Sequence, residues 1–178
     1  MGNNKGFTLL EVIVSVVIIT VIAATVSPNF LKFKNEFDLT SAYNIMAGDF
    51  KLVQNLSLNK SEMYILGSYQ KVYYGIEILN SSSYRNIITN ADYNFLRQYD
   101  EDIILSKNNS INLEGREEFT DLKYIIFKSN GKPEFMDSTK NIIEYKGGKK
   151  FFIVSSKAKL EKAIEFNNMT GKIIYDRE

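Results

Sequence analysis

From Phe7 to Val26 the chain is apolar on every side of any helix drawn through it, interrupted only by hydroxyl residues, Ala23 and Ala24, and one acid, Glu11. At ~1.5 Å per residue, a segment of this length reaches roughly 30 Å, the thickness of a bilayer's hydrocarbon core. Ser15, Thr20 and Thr25 do not disqualify it, because a hydroxyl in a helix can return its hydrogen bond to the preceding turn. A helix with no polar face is unusual in the core of a soluble domain of this size. The pattern therefore predicts a membrane-spanning helix over 7–27, preceded by a short polar segment, 1–6, that holds one cation, Lys5.

Pro28 interrupts that helix without ending the periodicity. A proline removes one backbone donor and crowds the preceding turn, so a kink is expected there. Beyond it Phe30, Phe33, Phe37, Ala42, Ile45, Met46, Leu52, Val53 and Leu56 recur at helical spacing, with Lys32, Lys34, Glu36, Asp38, Asp49 and Lys51 between them. This second half, 28–58, reads as an amphipathic helix that lays one side on a domain and continues the apolar rod with the other. From Thr8 to Ser57 the kinked helix would be roughly 75 Å long.

After a linker over 59–68 the period changes to that of strands. Val72–Leu79 and Tyr84–Thr89 flank a serine turn, and Ile103–Leu105 and Ile111–Leu113 flank a turn at Lys107-Asn108-Asn109. Lys123–Lys128 leads into Asn130-Gly131, a strong hairpin signal. Ile142–Tyr145 and Phe151–Val154 flank Gly147-Gly148, and Ala163–Phe166 and Lys172–Tyr175 close around Asn168–Gly171. Tyr93–Tyr99 reads as a short helix. The fold class is α+β: a long kinked N-terminal helix packed on an antiparallel sheet or small sandwich, with 69–178 as the β-rich globular domain.

Composition then removes most chemistry. Among 178 residues there is neither cysteine nor histidine, so disulfides, thiolate nucleophiles, imidazole bases and the usual zinc ligands are absent. Asp100-Glu101-Asp102 is a carboxylate cluster of the kind hard cations use, but it lacks the alternating ligands and glycine turn of a calcium loop, so a solvated acidic turn is expected. Lys146, Lys149 and Lys150 around Gly147-Gly148 read as a charged hairpin tip that protects sheet edges. No catalytic constellation, metal site or cofactor site emerges. The net charge is only +1, which gives no evident nucleic-acid surface. Charge is nevertheless segregated: Glu36–Asp121 holds seven bases and thirteen acids, and Lys123–Lys162 ten bases and four acids. Pairing within one domain accounts for that pattern; complementarity between neighbouring copies is the alternative.

Glu11 is the anomaly of the apolar segment. An unpaired carboxylate near the start of a spanning helix costs on the order of 2–3 kcal/mol, less near the interface. Either it sits among lipid headgroups, or it awaits a cation from another chain.

Lys5-Gly6-Phe7-Thr8-Leu9-Leu10-Glu11 resembles the type IV prepilin signature, in which a short basic leader ends in glycine ahead of Phe-Thr-Leu-Leu-Glu, and Pro28 matches that family's helix-kinking proline. The resemblance implies that a prepilin peptidase cuts between Gly6 and Phe7 and methylates the new amine of Phe7. It also implies a retained anchor in the cytoplasmic membrane, with the C-terminal domain outside and later assembly into a surface filament. Its implied partners are membrane lipid, the peptidase, an assembly platform and other pilin or pseudopilin subunits. On that footing Glu11 is expected to be a register key: the amine of a neighbouring Phe7 answers it, and a misplaced subunit leaves it uncompensated.

A second resemblance is narrower. Phe127-Lys128-Ser129-Asn130-Gly131 and Gly171-Lys172-Ile173 are similar to the C-terminal region of H-type pseudopilins and FimT-like minor pilins, although lysine stands where arginine usually follows the closing glycine. This implies a minor rather than a major subunit. The competing expectations are a cleaved signal peptide ending near Ala23, and a tethered surface-binding domain that never polymerises.

Overall fold

The computed structural model describes residues 7–106, 108–113, 122–144, 149–157, 159–167 and 170–175, without the side chains at 25–28, 113, 149 and 152. One helix, α1 (Leu9–Asn59), runs through position 28 without a break. Among the described residues eleven strands follow it: β1 (Glu62–Ile65), β2 (Ser68–Asn80), β3 (Ser83–Asn90), β4 (Phe95–Gln98), β5 (Ile103–Ile104), β6 (Asn109–Leu113), β7 (Leu122–Phe127), β8 (Pro133–Asp137), β9 (Lys149–Ser155), β10 (Leu160–Phe166) and β11 (Ile173–Tyr175).

The strands form two antiparallel sheets. One has the order β4-β3-β2-β7-β8, with β1 added on β2 and β5 on β3; the other has the order β11-β10-β9-β6. The inner faces of both sheets meet the second half of α1. Leu39, Ala42, Tyr43, Met46, Ala47, Phe50, Val53 and Leu56 form the buried stripe, at the three- and four-residue spacing that keeps side chains on one helix face. Phe50 sits at the centre. Its ring lies 4.8 Å from that of Phe166 and 5.9 Å from that of Phe151, and Phe135 stacks on Phe151 at 5.8 Å. A phenylalanine cluster of this kind can hold a disulfide-free domain together by apolar burial.

The α+β architecture and the long helix are as the sequence predicts, and several local readings need correction. The 59–68 linker contains β1, which pairs with β2 through a two-residue turn. Tyr93–Tyr99 is not helical: Tyr93 has a positive φ of 60°, and 95–98 form β4 against β3. The segments 103–105 and 111–113 do not pair with each other, since β5 joins β3 and β6 joins β9, in different sheets. Ile142 makes only an isolated bridge to Met136, and Phe151 to Val154 pair with β10 and β6 instead. Residues 145–148 and 168–169, including the Gly147-Gly148 turn and Lys146, lie outside the described residues.

Candidate assembly site

The helix starts at a side-chain cap. Thr8 is in extended conformation, its Oγ1 accepts the backbone N–H of Glu11 at 3.2 Å, and Glu11 Oε2 accepts the Thr8 N–H at 2.9 Å. The Thr8 hydroxyl also donates to Glu11 Oε2 at 3.0 Å. This reciprocal capping box satisfies donors that the first turn leaves open and is worth about 1 kcal/mol. The Thr-x-x-Glu spacing that announces it is legible in the sequence, yet Thr8 is absent from the site residues inferred there. The box fixes where the carboxylate points but gives it no countercharge: among the described residues no cation lies within ion-pair distance of Glu11. Phe7, 88% exposed, stands immediately ahead of the cap. Gly6 and the rest of 1–6 lie outside the described residues.

Beyond the cap, the described side chains of the first half of α1, 9–24, are exposed. Leu9, Ile13, Val17, Ile18 and Ile22 are all exposed, and the helix is long and apolar enough to cross a membrane. Two of its hydroxyls return to the helix backbone: Ser15 donates to the Glu11 carbonyl and Thr20 to that of Val16, each at 2.7 Å. Position 28 is helical, while the Pro28 side chain lies outside those described. Past it the predicted apolar positions divide between two faces. Ala42, Met46, Val53 and Leu56 face the sheets, whereas Phe30, Phe33, Phe37 and Ile45 stay exposed and extend the rod.

The turns that hold Gly131 and Gly171 come together in space. The Gln54 side-chain amide, on α1, donates to the Gly131 carbonyl at 2.8 Å and to the Gly171 carbonyl at 2.7 Å. Sequence reading leaves Gln54 aside, because a lone glutamine between apolar positions gives no sign of its partners.

Elsewhere, Asp102 accepts a hydrogen bond from Gln98 at 3.0 Å, and no metal-binding group of acidic side chains occurs among the described residues. Lys150 lies opposite Glu165 in the β9–β10 register. Charge pairing within the domain joins the acidic and basic stretches at Glu77, which meets Arg85 at 2.7 Å and Lys123 at 3.5 Å.

The chain thus presents an exposed helix, long and apolar enough to cross a membrane, with a capped acid at its start and a β domain at its far end. Residues 1–27 match the family described as the prokaryotic N-terminal methylation motif, so the chain carries the type IV prepilin methylation signature. That match supports a type IV pilin-like subunit, and implies processing by a prepilin peptidase and assembly with other pilin subunits. No curated protein and no solved structure matches the chain.

Proposed function

We propose that the chain is a minor pilin or pseudopilin, a structural rather than catalytic subunit of a type IV pilus, secretion or competence filament. One observation carries this reading: the methylation motif over 1–27 covers the apolar first part of α1, whose described side chains, 9–24, are all exposed. In the membrane that surface meets lipid. In a filament it meets the same helices of neighbours, and the β domain rides outside.

Cleavage between Gly6 and Phe7 makes the mechanism directional. It creates a cationic amine on Phe7, beside a carboxylate whose orientation Thr8 already fixes. A subunit entering in register brings its amine to a neighbour's Glu11. One entering out of register leaves a buried charge unanswered, a penalty of about 3–5 kcal/mol. Glycine at the cut position suits a protease groove, since it adds no side chain to an extended backbone.

Intact-mass and N-terminal analysis of the protein from its native host tests the reading. An N-methylated Phe7 as first residue, in material sheared from the cell surface, is the expected result. An intact Met1, or a chain beginning at Ala24, would overturn it in favour of a tether or a cleaved signal peptide.

A further inference from the structure

We propose that Asp49, Asn86 and Asp100 form a binding site for a hard divalent cation of calcium's size, where α1 meets β3 of the larger sheet. The proposal stands apart from the filament reading above, because it concerns how the β domain is fastened to its own helix.

Strand alternation brings the three residues together. Tyr84 and Ile88 of β3 belong to the core beneath α1, so Asn86 between them faces the helix as well. The Tyr84 hydroxyl donates to Asp49 Oδ2 at 2.7 Å, which holds that carboxylate over the same face of β3. The Tyr99 backbone N–H donates to the Asn86 carbonyl at 2.8 Å, and the Tyr99 ring packs edge-on against Tyr74 at 6.4 Å. The chain leaving β4 is thereby pinned at the level of Asn86, and Asp100 is its next residue. Asp100 lies near enough for its charge to act on the Asp49 carboxylate.

Asn86 is the residue that calls for a ligand. It is fully buried, and neither its Oδ1 nor its Nδ2 forms a hydrogen bond of proper length and direction with a described residue. Buried amides in that state are rare and costly, and an apolar side chain at the same position would avoid the cost. The amide sits beside a carboxylate that is itself short of a countercharge. Burial first, and the charge of Asp100 after it, disfavour the ionised form of Asp49, while Tyr84 and the Asn86 amide favour it. Among the described residues, no lysine or arginine pairs with Asp49 or Asp100. A cation answers all of this at once: it takes the amide oxygen and offsets both carboxylates.

The donor set selects the ion. Two carboxylates and an amide oxygen, with water completing the shell, are hard ligands in an irregular arrangement; calcium accepts that, whereas magnesium demands a near-ideal octahedron. Asp100 is exposed in a bend, so its carboxylate has room to close on the ion. No third acid is required, and Asp102 is turned instead toward Gln98. With so few charged ligands, the expected Kd is on the order of 10⁻⁴–10⁻³ M, the range of extracellular calcium modules. Bound there, the ion fastens the turn after β4 to α1.

Full-length protein in detergent is melted in EDTA and then with calcium at about ten times that Kd. Calcium should raise the parent's Tm by roughly 3–6 °C, and magnesium at the same concentration should leave it unchanged. Asp49→Asn and Asp100→Asn should each lose the calcium shift. In EDTA both should melt at or above the parent, which establishes that they fold; Asp100 is exposed, so its variant loses no packing. Asp102→Asn, in the same turn, should keep the shift. The chain has no tryptophan, so terbium luminescence excited through tyrosine reports the site directly. It should appear in the parent and in Asp102→Asn, fall at least tenfold in Asp100→Asn, and be displaced by calcium. A parent without a calcium shift, an equal shift from magnesium, or a shift that survives in Asp49→Asn or Asp100→Asn would overturn the site. Loss of the shift in Asp102→Asn would also overturn it, by moving the ion to the acidic turn. None of these outcomes bears on processing at Phe7, so the filament reading stands or falls separately.

Discussion

Gly171 stands so close to Gly131 that a Cβ on Gly171 would lie 2.8 Å from the Gly131 carbonyl oxygen. Both residues have positive φ, 71° and 73°, and the amide of Gln54 ties both carbonyls to α1. The helix thus clamps the β7–β8 turn to the turn before β11, joining the two sheets at one point.

Breaking that clamp should cost measurable stability. Gln54→Leu strands two carbonyls, at about 1–3 kcal/mol. Gly171→Ala adds a steric clash to a left-handed backbone and should cost more. For a chain of this size each kcal/mol lowers Tm by roughly 2–4 °C. Thermal unfolding in detergent should rank the variants Gly171→Ala below Gln54→Leu below the parent; a Gly171→Ala melting with the parent would refute the clamp.

Asp49 gives the domain an acid-side dependence of unusual sign. Burial pushes its carboxyl above the ordinary aspartate range, while the hydrogen bond from the Tyr84 hydroxyl, 2.7 Å long, pulls the other way. A raised folded-state value means that the folded chain binds this proton more tightly than the unfolded one. Its contribution is therefore neutral below the ordinary value near ~4 and becomes a penalty as pH rises through the raised one. Asp49→Asn keeps an acceptor for Tyr84 and removes the penalty. Its Tm should exceed the parent's at pH 7, with the difference shrinking as pH falls toward 4. A constant difference across that range would rule the titration out.

Much of this was readable from residues alone, and the failures have a common cause. The anchor helix announces itself because an apolar run, a proline and a Thr-x-x-Glu cap are all local signals. The β2–β3 and β7–β8 hairpins are equally local, since their turns name themselves. The pairing of β6 with β9 is not, because strand partners distant in the chain are chosen by the shared core around Phe50 and Phe151. β4 reads as helix in the sequence because four residues at a sheet edge carry too little alternation to outweigh their neighbours. β1 was hidden for the same reason, and with it the exposed Leu66. Phe50 itself, the centre of the core, is one residue among many apolar helix positions until the sheets are placed around it.

Glu77 tests how the sheet's outer face is held. Its carboxylate is buried between Arg85, which donates from Nε at 2.8 Å, and Lys123 on the neighbouring strand. Glu77→Ala leaves two partly buried cations facing each other, and should cost about 2 kcal/mol. Arg85→Lys should also destabilise, because an ammonium cannot reproduce the guanidinium's planar set of donors. A double-mutant cycle on Glu77 and Arg85, read by denaturant unfolding, should show coupling; additive losses would mean that the pair merely shares a face.

Glu11 separates two roles that a simple deletion would confuse. As the acceptor in the Thr8 capping box it supports the helix start, and as a charge it is available to a neighbour's amine. Glu11→Ala removes both roles. Glu11→Gln keeps an acceptor at the same position, which a capping box tolerates, and removes only the charge. Thr8→Val does the reverse, losing about 1 kcal/mol of cap while leaving the carboxylate. All three variants should insert in the membrane at parental levels, since the apolar run is unchanged. Cells expressing each as full-length protein are sheared, and filament and membrane fractions compared by immunoblot. Glu11→Ala and Glu11→Gln should be retained in the membrane and missing from filaments, whereas Thr8→Val should still assemble. Incorporation of Glu11→Gln at the parental level would show that the carboxylate's charge is not what sets the register.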